Sequence, residues 1–420
     1  MTYTRSAIGL LTRQYKAVLK KCFLINCGLF ALGAVSVTPV YADQTYATLN
    51  TAVTDSTTSN KTYTLEVDEN VSANLGVLGG TSLTINGGNY NIFGNNKEGI
   101  SVGSGKTLTI KNIGDAIVTT DESGMFTGLT INSSMRGFKK SAYDENDDFY
   151  AAGWGSAVTN KGGTVNVENS VFSYNRNPVG QNLAYAYGGA IYNKGTMSFS
   201  GTNIFAYNSA CGPSSVGNNG SGGAIHNIGT MNLSDSNTFA YNTASYGGAI
   251  YIVSNVNLSG TNTFANNSAT SYGGAIYFSG TSNGTISSIT GNFIGNSARC
   301  GGAIVNNASS YGSSTISSLV GDFVDNYVKI SSSSKIYGGA IFNGSTSNTS
   351  QYIENARITL AGNTFTGNYI DNNGTITPNS IYNAGIISIA DGAMVTINDG
   401  YDGLDKALLN VCNYSIFNLN

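Results

Sequence analysis

Charge, proline and histidine are all scarce in this sequence. Charged residues make up 10% of the 420 residues, and proline occurs only four times. Such a low charge is uncommon in cytoplasmic enzymes and is typical of stacked β-structure with a surface of Ser, Thr and Asn. His226 is the only histidine, so a catalytic triad built on histidine has no other candidate. We predict no catalytic residues.

The few charges are unevenly distributed along the chain. Residues 1–42 carry five basic side chains and no acidic one, which leaves 15 basic and 23 acidic side chains, a net charge of −8, in residues 43–420. This acidic balance argues against nucleic acid as a partner. An apolar run over 22–37 and the small-residue cleavage pattern at 40–42 follow the basic stretch, so we predict a secretory signal over 1–42. An uncleaved membrane anchor is the alternative, although the run is short for a membrane span.

Cysteine is also scarce once this signal is removed. Cys211, Cys300 and Cys412 would remain. The repeats described below place Cys211 and Cys300 several coils apart, beyond the reach of a disulfide. We expect these two to be small, buried or half-buried residues, and the exported protein to have no disulfide framework.

Two short motifs are present in many copies. Gly-Gly-Ala-Ile occurs six times, and Phe-x-x-Asn follows each copy. The first motif begins at Gly188, Gly222, Gly247, Gly273, Gly301 and Gly338, and the second at Phe205, Phe239, Phe264, Phe293, Phe323 and Phe365. In the first three copies the offset between the motifs is 17 residues, which indicates one structural unit stacked on copies of itself.

The segments between the motifs have the pattern of β-strands. Apolar residues alternate with polar ones at Met197 and Phe199, and again at Met231 and Leu233, and a period of two is typical of strands. Gly, Ser, Thr and Asn, which favour turns over helix interiors, are abundant in these segments. Short strands that recur about every 25 residues between such corners predict an all-β fold, a right-handed parallel β-helix solenoid.

Each motif residue has a predicted place in the coil. The glycine pair would allow a tight corner, or a close backbone approach that a Cβ would obstruct. The isoleucine and the phenylalanine would point inward and stack on the same residue of the next coil. The asparagine would hydrogen-bond nearby backbone at a corner, where it also tolerates a left-handed conformation. The structural residues that we single out are Gly188, Gly189, Ile191, Phe205, Asn208, Phe239, Asn242, Phe264 and Asn267.

The pattern extends in weaker form to both sides of the six copies. Ser82–Ile85 and Thr107–Ile110 are 25 residues apart, Leu129 and Ile131 continue the series, and Ser380–Gly385 is a copy without its glycine pair. We therefore expect four segments: the signal over 1–42, N-terminal coils with an acidic insertion loop over 43–150, the repeat β-helix over 151–385, and a last coil or truncated end over 386–420.

Two features offer chemistry that the stacking does not explain. His226 occupies a variable position, which Tyr192 and Tyr251 fill in other copies, so we interpret it as one member of a mixed column. The acidic stretch Asp144–Asp148 matches the first ligand positions of a calcium loop but lacks the glycine and the final glutamate that such a loop needs. We interpret it as a solvated loop and predict no metal and no cofactor.

A stripe of tyrosines is the better candidate for a binding site. Tyr187, Tyr246, Tyr272 and Tyr337 each immediately precede a glycine pair, so the coils would align them. Tyrosine offers a flat apolar face with a polar tip, which suits contact with a protein or a glycan. The alternative is that these rings only cover the corner glycines and stiffen the coil.

The double motif on a predicted β-helix, behind a signal sequence, resembles the passenger region of bacterial polymorphic outer membrane proteins, which are autotransporters of the chlamydial type. The resemblance covers about residues 150–385 through the motifs and 43–149 through general β-helix character. It implies a surface-exposed passenger, often adhesive, carried by a C-terminal transmembrane β-barrel. Only about 35 residues follow the last weak copy, too few for the strands of a barrel, so we expect no self-contained membrane barrel in this chain.

We therefore expect an exported protein, at the cell surface, associated with the outer membrane or secreted, that is not an enzyme and mediates adhesion to a host or cell-surface protein or glycan. The runner-up is a polysaccharide lyase or hydrolase, because such enzymes share the β-helix and use carboxylates with Arg or Lys in a lateral groove. Four arginines follow residue 42, and none lies beside an acidic cluster at a matched repeat position: Arg136, Arg176, Arg299 and Arg357. A passive structural stalk is the third possibility.

Overall fold

The computed structural model is an all-β protein built from stacked coils. It describes residues 46–138, 152–177, 185–210, 219–280, 283–308, 312–330, 338–347, 353–403, 407–412 and 414–420. The predicted signal, the acidic stretch Asp144–Asp148, Cys211 and Tyr337 lie outside the described residues. Gln44–Asn420 form one compact unit.

Three sheets extend along the coils, and among the described residues only the edge strand Thr375–Pro378 pairs antiparallel within them. The 20 described strands of sheet 1 are Asn60–Thr64, Glu69–Asn70, Ser82–Asn86, Ile92–Phe93, Thr107–Lys111, Met135–Arg136, Thr164–Glu168, Val171–Ser173, Thr196–Ser200, Thr202–Ala206, Thr230–Leu233, Ser236–Ala240, Val256–Ala265, Gly284–Ile294, Ser314–Val324, Ala356–Thr366, Ile386–Ile389, Met394–Ile397, Leu408–Val411 and Ile416–Leu419. The 11 of sheet 2 are Gly76–Val77, Ile100–Val102, Val158–Asn160, Ile191–Asn193, Ile225–Asn227, Ile250–Ile252, Ile276–Ser279, Ile304–Asn307, Ile341–Gly344, Ile381–Asn383 and Tyr401–Gly403. The ten of sheet 3 are Ala152–Trp154, Tyr185–Tyr187, Ser209–Ala210, Gly220–Ser221, Thr243–Tyr246, Ser268–Tyr272, Ser297–Ala298, Tyr327–Ile330, Tyr369–Asn372 and Thr375–Pro378.

One turn of the chain passes through all three sheets. From Ile225–Asn227 in sheet 2 the chain enters sheet 1 at Thr230–Leu233 and Ser236–Ala240, and then sheet 3 at Thr243–Tyr246. The next coil begins where Ile250 pairs with Ile225. The predicted parallel β-helix is confirmed, and a right-handed coil is the expectation because connections between parallel strands are right-handed in nearly all proteins.

Columns of identical side chains fill the interior. The isoleucines of the six Gly-Gly-Ala-Ile copies pair in register and are fully buried: Ile191, Ile225, Ile250, Ile276, Ile304 and Ile341. The phenylalanine rings stack in a second column, with centroids 4.7 to 5.1 Å apart: Phe172, Phe205, Phe239, Phe264, Phe293, Phe323 and Phe365. Both predicted stacks are confirmed, and they supply a continuous apolar core.

The motif asparagines hydrogen-bond nearby backbone, as predicted, and also bond one another in a buried column. Its members are Asn175, Asn208, Asn242, Asn267, Asn296, Asn326 and Asn368. The Nδ2 of each donates to the Oδ1 of the next at 2.9 to 3.1 Å, and from Asn208 onward also to the carbonyl oxygen of the phenylalanine one coil back at 2.8 to 3.0 Å. The left-handed corner residue is not the asparagine but the one before it, with φ of 56° at Tyr207 and 57° at Tyr241.

The two glycines of each pair serve different needs. The first has a left-handed conformation, with φ of 61° at Gly247, which glycine adopts without steric cost. At the second, a Cβ on Gly248 would overlap the carbonyl oxygen of Gly274 in the next coil. The predicted tight corner and the predicted close approach both occur, on neighbouring residues.

Gly248→Ala is therefore expected to destabilise the protein by about 2 kcal/mol or more, because the added methyl group forces adjacent coils apart. Gly103→Ala is the matched control, since a Cβ there meets no atom within 4 Å, and should change stability by less than about 0.5 kcal/mol. Urea unfolding followed by circular dichroism measures both. Equal losses of stability in the two variants would show that close contact between coils is not the reason for glycine at position 248.

The described N-terminal end is covered by a short helix, Leu49–Thr54. Thr48 caps it, and Leu49, Ala52 and Val53 are buried in the core. The helix packs against the strands Asn60–Thr64 and Gly76–Val77. It shields the interior of the first coil from water.

One sequence prediction about the coils is wrong. Leu129 and Ile131 do not belong to a coil, because Phe126–Ser133 pairs antiparallel with Asp115–Thr120 as a hairpin. Leu129 of the hairpin packs against Val171, Ile204 and Ala206 of sheet 1. Alternating apolar residues predict a strand but not its partner, so the pattern does not distinguish a strand of the coils from a strand of this hairpin.

Candidate binding surface

The predicted tyrosine stripe forms one column at the end of sheet 3. Tyr187 and Tyr246 both pair with Ser221, and Tyr246 pairs with Tyr272. The rings of Tyr246 and Tyr272 lie 5.7 Å apart, and all three tyrosines are half-buried. Tyr337 lies outside the described residues. The alignment is as expected, while a binding role for the stripe stays a prediction.

A second column lies beside the stripe, on the outer face of sheet 2. His226 pairs with Tyr192 on one side and Tyr251 on the other, and Tyr277 follows. The ring of His226 stacks on Tyr251 at 4.7 Å and on Tyr192 at 5.5 Å. The prediction that His226 is one member of a mixed column is confirmed.

The two columns pack against each other. The ring of Tyr187 lies 4.5 Å from that of His226, and Tyr246 meets Tyr277 edge-on at 5.6 Å. Burial raises the pKa of Tyr187 to about 12. The tyrosine stripe therefore packs against the column of His226 and leaves only part of each ring exposed.

His226 is held in an apolar setting that disfavours its charged form. The side chain is 5% exposed, and its Nδ1 has no hydrogen-bond partner among the described residues. Burial lowers its pKa to about 3 from 6.5, although a hydrogen bond with the backbone of Ser221 opposes the shift.

Mild acid is expected to destabilise the protein through His226. Below pH 6.5 the unfolded chain binds a proton on this histidine, whereas the folded chain does so only near pH 3. The uncharged side chain of His226 therefore contributes its full stabilisation above pH 6.5. Between pH 6.5 and about 3, the free energy of unfolding falls by roughly 1.4 kcal/mol for each pH unit. His226→Tyr, which copies the neighbouring coils, should lose less stability between pH 7 and pH 4.5 than the wild type. Equal losses in urea unfolding at the two pH values would contradict this account.

A third column of tyrosines was not predicted. Tyr174, Tyr207 and Tyr241 occupy the third position of successive Phe-x-x-Asn motifs, at the corner between sheets 1 and 3. Each has a left-handed backbone, with φ of 54° to 57°, and neighbouring rings stack in parallel at 4.9 Å. The recurrence of Phe-x-Tyr-Asn in three consecutive copies was the signal in the sequence that identifies this column.

The hairpin braces one end of this corner column. Phe126 of the hairpin contacts Tyr241, with ring centroids 6.1 Å apart. Tyr207 packs against the same buried cluster of sheet 1 as Val118 and Leu129 of the hairpin. Tyr174, at the other end, is 52% exposed. The column is thus supported from behind and ends on an accessible ring.

The remaining candidate groups are placed as follows. Cys300 is buried, as predicted, and burial raises the pKa of its thiol well above its usual value. Cys412 is exposed. In the described ranges, no group of three or more His, Cys, Asp or Glu side chains is arranged to hold a metal ion. None of the described helices has the length and apolar character needed to cross a membrane.

The coils and their outward columns define a parallel β-helix repeat protein. Residues 263–279 match the family model of the Chlamydia polymorphic membrane protein repeat. The matched stretch contains Phe264, Asn267 and the Gly273–Ile276 tetrapeptide, so it holds one copy of each motif. The chain thus resembles the passenger of polymorphic membrane proteins, a family of outer-membrane and surface proteins. No match was found among curated proteins or among solved structures.

Proposed function

We propose that this chain is an exported passenger that mediates adhesion to the surface of another cell and acts without catalysis. The repeat match at 263–279 carries the proposal, because it lies within coils whose motifs are repeated throughout the β-helix. Adhesion, the absence of catalysis and the partner, a host or cell-surface protein or glycan, are all part of the proposal.

The arrangement of side chains supports a binding role. The interior columns keep the same residue in coil after coil, and the coils carry partly exposed aromatic rings on the outside, such as Tyr187, Tyr246 and Tyr174. A stacked interior holds outward side chains in fixed positions, so a surface of this kind loses little conformational entropy when it binds. Aromatic side chains are enriched at protein interfaces.

Adhesion and catalysis can be separated with the full purified chain. Beads coated with the protein should adhere to cultured epithelial cells, while beads coated with the heat-unfolded protein should not. The same preparation should leave polygalacturonate and other pectin-type polysaccharides intact. Cleavage without adhesion would favour the enzyme, and failure of both assays would favour a passive stalk.

A further inference from the structure

A groove lies where the corner tyrosine column ends. It has a volume of about 340 Å³ and is lined by Phe93, Asn95, Asn96, Arg136, Gly137 and Tyr174. Its size is at the lower end of the range of small-molecule sites in proteins. The groove lies on the side of Tyr174 away from Tyr207, where one more ring of the corner tyrosine column would stack.

The column has a missing member at this position. Arg136 pairs with Ser173, so the next residue, Gly137, aligns with Tyr174. Gly137 has the same left-handed backbone, with φ of 73°, but no ring. A Cβ there would lie 3.8 Å or more from its nearest neighbours. One face of Tyr174 stacks on Tyr207 and the other face is left open to the groove.

A cationic group lies beside this open face. The guanidinium of Arg136 sits 4.9 Å from the centroid of the Phe93 ring, an arrangement that holds a planar cation in place. Within the part of the chain that the structure describes, no carboxylate pairs with it and it donates no hydrogen bond to another residue. Guanidinium groups bind carboxylates through two parallel hydrogen bonds.

The rim of the groove is polar. Asn95 and Asn96 are exposed, and both have left-handed backbones, with φ of 50° and 59°. The Nδ2 of Asn95 already donates to the carbonyl oxygen of Val71 at 3.3 Å, which leaves its Oδ1 to accept from a hydroxyl group. The amide of Asn96 can both donate and accept. The groove therefore combines an apolar face the size of one ring, a cation and several amide groups.

We propose that this groove binds a pyranose sugar that bears a carboxylate. The apolar C–H face of the ring stacks on Tyr174 in the place of the missing column member, the carboxylate pairs with Arg136, and Asn95 and Asn96 contact hydroxyls. An aromatic side chain of a protein partner would fill the groove but leave the guanidinium of Arg136 without a carboxylate, which is costly on burial. The inference rests on the proposed function, since it names the chemical class to which the passenger adheres.

The rings stacked behind Tyr174 favour binding in the groove. Tyr241 contacts Phe126 of the hairpin, and the rings of Tyr241, Tyr207 and Tyr174 stack in turn, so the open ring of Tyr174 is supported before the ligand arrives. A site that is rigid before binding loses less entropy on association.

The test is titration of the full purified chain with two pairs of sugars. Trigalacturonate and 3′-sialyllactose are each compared with their methyl ester, so that the two sources of the carboxylate are distinguished. We expect one acidic member to bind and its neutral counterpart to bind at least about tenfold more weakly, as expected when a charge-assisted hydrogen bond is lost.

Four variants locate the binding. Arg136→Gln and Tyr174→Ala should each weaken binding of the acidic sugar at least about tenfold, and Tyr174→Phe, which keeps the face, should not. Gly137→Tyr supplies the missing ring and should abolish binding. Tyrosine adopts the same backbone conformation in three neighbouring coils, and a thermal unfolding scan checks that the variant is folded. Arg357→Gln, which removes an exposed arginine outside the groove, is the matched control and should bind as the wild type does.

The outcomes separate this proposal from the adhesive function. If no acidic sugar binds, or if Arg136→Gln binds as tightly as the wild type, the groove is not the site, and a protein partner becomes the better explanation of any adhesion to cells. Acidic sugar bound in the groove without adhesion to cells would support the site and contradict the adhesive function. Loss of both sugar binding and cell adhesion in Gly137→Tyr would support the two together.

Discussion

Phe239→Asp is expected to unfold the central coils, with a loss of more than about 5 kcal/mol. Removing a buried phenylalanine already costs roughly 3 to 5 kcal/mol through lost contacts and the cavity left behind. Phe239 is fully buried, and its ring lies 5.1 Å from those of Phe205 and Phe264. The carboxylate would be desolvated between two aromatic rings without a partner, which adds to the loss.

Two further variants isolate the cause of that loss. Ser236→Asp places the same charge on the exposed side of the same strand and should change stability by less than about 0.5 kcal/mol. Phe239→Leu keeps the position apolar and should fall between the two. Guanidinium unfolding followed by circular dichroism gives the ranking, and a folded Phe239→Asp protein with a near-wild-type midpoint would mean that the phenylalanine column is not the core.

Asn267→Ala is expected to cost roughly 4 kcal/mol, which is large for an amide, because it leaves several buried groups without partners. The Oδ1 of Asn267 accepts from the backbone N–H and the Nδ2 of Asn242, both at 3.0 Å. Its Nδ2 donates to the carbonyl oxygen of Phe239 at 2.9 Å and to the Oδ1 of Asn296 at 3.0 Å. Alanine removes these four hydrogen bonds from a site that excludes water.

Asn257→Ala is the control for the asparagine column. Asn257 lies in the same coil, and its Nδ2 donates to the Oδ1 of Asn232 at 3.1 Å in an exposed setting, where water can replace the lost partner. Its loss should cost less than about 0.5 kcal/mol. Similar unfolding midpoints for the two variants would show that the buried column contributes little to stability.

The interior of the protein was predictable from the sequence, and particular residues show why. Ile225 and Phe239 recur in the same order in every copy because each must meet its own counterpart one coil away, and that requirement is visible in a single sequence as a repeated pair of motifs. The glycine pair is predictable for the same reason, since any side chain at Gly248 would meet the next coil.

The surface was much less predictable. Leu129 alternates with its neighbours as a coil strand does, and only the antiparallel partner reveals the hairpin. The half-buried state of Tyr187 depends on the ring of His226 in the next coil, which no local pattern specifies. The groove beside Tyr174 depends on a residue that is absent, because Gly137 reads as an ordinary turn glycine until the register aligns it with the tyrosine column.

We propose that this protein acts by binding, through outward side chains held on a stacked interior. The most direct test is an equilibrium isotherm of the fluorescently labelled full chain on cultured epithelial cells, with unlabelled protein as competitor. We expect saturable binding that the unlabelled folded chain displaces and the unfolded chain does not. Binding that rises linearly with concentration and resists the competitor would contradict it.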